Sequence, residues 1–368
     1  MSGHQYPPPG GPPPGPPPPG WQPPGWQPPA SAAAPVWAQP PGAAATTPAR
    51  GMLGAAHKPG AMPLRPLTLG DMYDAAFRII RFNPRATVGS SVLVAAVAMA
   101  VPVLVTALLT VLVDLSAAQS GDDLSTAEVV GYAGSIGSLF LGTALQSIGS
   151  ILVTGMIAHV TAAAAVGRRL TLGEAWAATR GSRWRLVGLT VLLGLMLTGL
   201  LLAYGVLWVL VVVLLPTWAI VVFGILSVPA FLASACWFWI RVYYLPVPAL
   251  MIERTRVLAA IGRGFRLTRR QFWRTFGIAL LTLVVGAIAG SMLSAPFTIA
   301  AQVLPLAMAD SRYAVLVLVG LSAVATVVQT AFVTPFTSAV TSVQYLDQRI
   351  RKEAYDVELM AKAGITSS

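Results

Sequence analysis

LVGLTVLLGLMLTGLLLAYGVLWVLVVVLLPTWAIVVFGILSVPAFLASACWFWI (Leu186–Ile240) contains no Asp, Glu, Lys, Arg or His. A helix needs only ~20 apolar residues to cross the hydrocarbon core of a bilayer, so this run is too long for one crossing. Pro216 and Thr217 interrupt it. Proline removes a helix donor and clashes with the preceding turn, so a break is expected there. The run therefore reads as two spans, at about 186–214 and 218–245.

Similar runs occur on either side, at about 88–113, 137–164, 276–303 and 314–342, giving six spans. The second run is long, extending from Val129 to Val166, and Ser125-Thr126-Ala127-Glu128 before it has the S-x-x-E form of a capping box. That helix is expected to start outside the membrane. Composition agrees: 55% of the 368 residues are hydrophobic and 10% are charged, where soluble domains carry about a quarter charged residues. The mean hydropathy is +0.71. Such a chain cannot cover a water-facing surface. The fold class read from sequence is all-α integral membrane, with a membrane domain over about 64–345 and a cytoplasmic amphipathic helix and tail over 346–368.

Charge gives the expected orientation. Arg65, Arg78, Arg81 and Arg85 precede the first span. Arg168, Arg169, Arg180, Arg183 and Arg185 lie between the second and third. Arg254, Arg256, Arg263, Arg266, Arg269, Arg270 and Arg274 lie between the fourth and fifth, and Arg349, Arg351, Lys352 and Lys362 follow the sixth. The opposite connections hold Arg312 against Asp114, Asp122, Asp123, Glu128 and Asp310. By the positive-inside rule both termini face the cytoplasm.

The basic connections resemble one another. TLGDMYDAAFRIIRFNPRATVG (Thr68–Gly89) and TLGEAWAATRGSRWRLVG (Thr171–Gly188) share T-L-G-[DE]-x-[YW]-x-A. The first also shares [AG]-F-R-[IL]-x-R with VLAAIGRGFRLTRRQFWRTFG (Val257–Gly277). Three repeats follow, each an amphipathic helix and a pair of spans. Thr68 with Asp71, and Thr171 with Glu174, have capping-box spacing. Arginines on one side of such helices suit an anionic headgroup layer, and Trp176, Trp184 and Trp273 suit the interface. Arg78, Arg81, Arg85, Arg183, Arg185, Arg266, Arg269 and Arg274 are the candidate anionic-lipid contacts; the plainer reading is that they only fix topology.

Residues 1–60 are rich in Pro and Gly, as in PPPGGPPPGPPPPG (Pro7–Gly20) and GWQPPGWQPP (Gly20–Pro29). Such a segment is expected to be a disordered, polyproline-type cytoplasmic tail. Trp21, Trp26 and Trp37 make it a candidate ligand for a proline-recognition module.

Signs of chemistry are few. Ionisable residues within spans usually mark function. Here they amount to His159, read as a packing residue, and Arg241 in WIRVYYLPVPALMIE (Trp239–Glu253). Pro246 and Pro248 are expected to break this helix end, so Arg241 and Glu253, which could pair, form a candidate transport or structural site. Gly131, Gly134, Gly137, Gly142, Gly149 and Gly155 read as helix-packing positions, and Gln146 and Gln329 as hydrogen-bonding groups between helices. The lone Cys236 cannot form an internal disulfide. No catalytic, cofactor or metal motif is recognisable, no nucleic-acid partner is indicated, and no signal peptide is expected before the first span.

Four stretches resemble the bacterial, especially actinobacterial, proteins grouped with the glycerophosphoryl diester phosphodiesterase membrane domain. They are LRPLTLGDMYDAAFRIIRFNPR (Leu64–Arg85), P-x-x-x-x-E (Pro248–Glu253), FRLTRRQFWR (Phe265–Arg274) and QYLDQRIRKEAYDVELM (Gln344–Met360). The resemblance implies a multi-pass protein of the bacterial cell membrane. The catalytic barrel that gives the family its name has no counterpart here. The expected function is non-enzymatic, a scaffold or lipid-associated envelope role; a transporter of a small molecule or lipid, using the region near Arg241, is the alternative.

Overall fold

The computed structural model describes residues 60–112, 126–308 and 311–364, and every regular element among them is helical. The Pro-rich tail, Ser125 of the capping box expected before the second span, and most of the acidic connection residues lie outside the described residues.

Among the described residues, six helices are long and apolar enough to cross a membrane. Helix α1 (Leu69–Phe82) leads through a π-helical turn at Arg85–Gly89 into α2 (Ser90–Leu112). Helix α3 spans Thr126–Ala165, and the short α4 (Leu172–Ala178) precedes α5 (Arg183–Leu214). Helix α6 (Thr217–Phe238) begins directly after Pro216, as the sequence requires. It passes through a second π-helical turn, Trp239–Tyr243, and restarts as α7 (Pro246–Glu253) with Pro246 at its first turn. There the missing N–H costs nothing. Helix α8 (Val257–Thr268) then leads to α9 (Phe272–Ala307), α10 (Ala314–Glu353) and α11 (Tyr355–Lys362).

Of the three expected capping boxes, the two at Thr68 and Thr171 lie among the described residues, and both form. Thr68 accepts from the Asp71 amide while the Asp71 carboxylate accepts from the Thr68 amide, and Thr171 and Glu174 do the same. Each satisfies two of the orphan donors at a helix start. Met72, Ala75, Ala76 and Ile79, at helical spacing, are the buried face of α1, while Arg78, Arg81 and Arg85 are exposed. Beside that face, Tyr73 stacks on Phe336 of α10 and the exposed Phe77 lies tilted against it, at 5.7 and 5.3 Å between ring centroids.

The long helices are not equivalent. Helices α2, α3, α9 and α10 form a four-helix core, with α2 along α3, α9 along α10, and α10 against both α2 and α3. Glycine permits the close α2–α3 approach: a Cβ at Gly142 would lie 2.9 Å from the ring of Pro102 and 3.2 Å from the Ala98 carbonyl. Gly149 meets Val94 still more closely, whereas Gly137 faces open space. Gln146 bonds Thr330 between α3 and α10. The α5–α6 hairpin stands to the side. α5 buries Leu186, Leu189 and Leu193 near its start, and no residue of α6 is buried. Its helices join through Tyr204, which stacks on Phe231 at 4.0 Å and bonds Ser227 at 3.1 Å.

The chain beyond the sixth span differs from the expected division at 345/346. Helix α10 continues unbroken to Glu353 and turns only at Ala354, where φ is +50°. Nothing in Gln344–Glu353 breaks a helix, and Asp347–Arg351 and Arg349–Glu353 pair at i,i+4 along it.

Candidate functional site at the basic end of the bundle

The arginine-rich connections meet at one end of the bundle, tied by contacts between residues far apart in sequence. Two carboxylate centres organise that end, and a cavity between the long helices lies beside it.

The first centre is Asp347, which is fully buried in α10. It accepts from the Leu67 amide at 2.7 Å, from Arg274 Nη1 at 2.6 Å and from Arg351 Nε at 2.9 Å. Both arginines also donate to the Leu67 carbonyl, at 2.8 and 2.7 Å. One peptide ahead of α1 is thus held by the start of α9 and the end of α10. A buried carboxylate is tolerated only when paired and hydrogen-bonded, and this one is saturated.

The second centre joins Glu253 and Glu353, the last residues of α7 and α10. Each is followed by a left-handed residue, Arg254 at φ +53° and Ala354 at φ +50°. A carboxylate at a helix C-terminus opposes the helix dipole. Arg263 compensates, donating to Glu253 at 2.9 Å and to Glu353 at 2.6 Å. Arg349 adds contacts at 3.3 Å to Glu253 and 3.1 Å to Glu353, and the Tyr345 hydroxyl donates to Glu253. Burial opposes the charge on Arg263, but its hydrogen bonds and ion pairs with the two glutamates prevail and hold its pKa above the ordinary guanidinium value.

Glu253 is therefore engaged by Arg263, Arg349 and Tyr345, and not by Arg241. Arg241 instead lies 5.0 Å from the centre of the Phe265 ring, and its Nε is buried with no hydrogen-bond partner among the described residues. No ion pair of Arg241 with Glu253, which the sequence allowed, is found among the described residues; the π-helical turn and the restart at Pro246 lie between the two.

The candidate lipid-contacting arginines fall into two groups. Arg274 is committed to Asp347. Arg183 is committed to α4, donating to the Trp176 carbonyl at 2.7 Å and stacking 3.8 Å over the Trp176 ring. Arg78 pairs with Asp74 at 2.9 Å on the surface. Arg81, Arg85, Arg185, Arg266 and Arg269 are exposed, although Arg185 reaches the Arg254 carbonyl at 3.4 Å. Arg78 and Arg81 line a recess with Phe82 and Gly167. An almost wholly apolar groove of about 420 Å³ runs between α2 and α3 from Leu93, Val94 and Leu152 to Trp176 on α4.

The cavity, about 460 Å³, lies between α3, α5, the α6–α7 break, α9 and α10. No Asp, Glu, Lys, Arg or His is among its lining residues. Six aliphatic hydroxyls line it, and each donates within the protein. Thr154, Thr190, Thr282, Thr337 and Thr341 bond the carbonyl four residues back at 2.8, 3.0, 2.7, 2.8 and 2.8 Å, and Ser338 bonds Thr154 at 3.0 Å. The Tyr244 hydroxyl, beside Thr341, is buried without a partner at hydrogen-bonding geometry.

Sequence reading missed Asp347, Arg263, Arg349 and the cavity hydroxyls. An aspartate directly after an apolar run was the available signal for the first. Threonines in spans carry no signal of their own, since most only bond back to their helix. Among the described residues no group of His, Cys, Asp and Glu side chains could hold a metal ion. Comparison with protein-family models, with curated proteins and with solved structures finds no match to this chain.

Proposed function

We propose that this chain is a non-enzymatic, lipid-associated protein of a bacterial cell membrane that holds anionic lipid at its basic end, with both termini cytoplasmic. The observation carrying this reading is the apolar groove that ends at Trp176. A groove of that character suits an acyl chain. It begins at Ser90, one helical turn beyond Arg85, and exposed guanidinium groups near an apolar slot suit an anionic headgroup. The similar basic segments before α2, α5 and α9 make the protein three copies of one unit, each an amphipathic helix and two spans. The arginine-rich helices and glycine-rich spans support a scaffold role, and the Pro-rich tail supplies a docking ligand for a protein partner.

The test is lipid retention by the purified full chain, followed by native mass spectrometry in mixed phosphatidylglycerol and phosphatidylcholine. Phosphatidylglycerol is expected to be enriched, and Arg81→Gln with Arg85→Gln to abolish the enrichment. Equal retention of the two lipids by the unaltered chain would overturn the reading. Transport is the second reading, favoured by the cavity beside the α6–α7 break; a substrate flux in proteoliposomes that requires the protein would support it.

A further inference from the structure

We infer that the cavity between α3, α5, α9 and α10 is a binding site for an uncharged lipid bearing a free hydroxyl, of the diacylglycerol type. Three observations lead there, none of which depends on the arginine reading.

The first is charge. The wall holds no ionisable acid or base, and Arg241, the nearest candidate from sequence, is turned onto Phe265 instead. A charged ligand would lose its hydration with no counter-charge to replace it.

The second is the direction of the hydrogen bonds. Thr190, Thr337 and Thr341 have each given their proton to their own helix, so what they present to the cavity is lone pairs; Thr282 has done the same, but its oxygen already pairs with the Tyr73 hydroxyl at 3.2 Å. Such a wall receives donors. A hydroxyl is a donor as well as an acceptor, and the unpartnered Tyr244 phenol supplies the complementary donor. Ester and ether lipids without a hydroxyl can use Tyr244 but leave the threonines unmatched. Unmatched buried polar groups are what give a hydrogen-bonding site its discrimination.

The third is shape and access. A volume of about 460 Å³ suits one ligand of modest size. Leu283 and Ala287 line the cavity and are also exposed on the apolar flank of α9. A polar end can therefore sit among the threonines while hydrocarbon leaves sideways between α9 and the α5–α6 hairpin.

The experiment uses the full chain in detergent or nanodiscs and three lipids with the same acyl chains: dioleoylglycerol, trioleoylglycerol and dioleoylphosphatidic acid. Saturable binding of labelled dioleoylglycerol, displaced by unlabelled dioleoylglycerol and not by trioleoylglycerol, is the expected result. Thr337→Val with Thr341→Val keeps the shape and removes two acceptors; it should weaken dioleoylglycerol binding about tenfold and leave phosphatidic acid unchanged. Arg81→Gln with Arg85→Gln should do the reverse, so failure here and failure of the anionic-lipid reading are distinguishable. Displacement of dioleoylglycerol by trioleoylglycerol with equal strength would overturn the inference. So would undiminished binding in a threonine variant that keeps the parental melting transition. If that variant does not fold, the competition on the unaltered chain decides, with Tyr244→Phe as the second variant.

Discussion

Arg274 and Asp347, 73 residues apart in sequence, meet at 2.6 Å, and both also hold the backbone of Leu67. This joins three segments far apart in sequence: the stretch before α1, the start of α9 and the end of α10. Asp347 is fully buried, and Arg274→Met leaves Arg351 as its one charge partner. That substitution is expected to cost ~1.5–3 kcal/mol, read as a lower melting temperature in detergent. Asp347→Asn should cost less, since the amide oxygen can still accept from Leu67.

The second centre predicts a local effect. Arg263 and Arg349 both bridge Glu253 and Glu353. Arg263→Met should leave Arg349 alone between two carboxylates at two helix C-termini. Faster amide exchange in α8 and α11 is expected, with the four-helix core unchanged. Uniform loss of protection through α9 and α10 would contradict it.

Glycine positions separate packing from propensity. Gly142→Ala places a methyl against Pro102 and should cost ~1–3 kcal/mol through overpacking. Gly137→Ala meets nothing and should be neutral or stabilising by up to ~1 kcal/mol. Paired melting curves check both.

The capping box of α4 gives a pH dependence. The Glu174 carboxylate is held below its ordinary pKa, first by the backbone amide of Thr171 and then by its hydroxyl. A depressed folded-state pKa contributes stability above the unfolded value and loses it as pH falls through the folded value. Amide protection in Leu172–Ala178 should therefore fall on acidification below the ordinary glutamate range. Glu174→Gln should remove that dependence.

Salt should separate the two groups of arginines. Lipid retention through exposed Arg81 and Arg85 should weaken between low and physiological ionic strength, because surface charges are screened over a Debye length of ~8–10 Å. The melting temperature, which depends on the enclosed Asp347 and Glu253 centres, should change little over the same range.

The sequence by itself determined what is local. The apolar runs set six long helices, Pro216 set the turn between α5 and α6, and Thr68 and Thr171 set two helix starts, because span length, proline chemistry and caps act within a few residues. Tertiary structure alone decided which arginines are free and which are committed. Arg274 finds Asp347 73 residues away and Arg263 finds Glu353 90 residues away, and no spacing rule reaches that far. It also decided that Arg241 faces Phe265, and that threonines from four helices, each unremarkable in its own span, line one cavity.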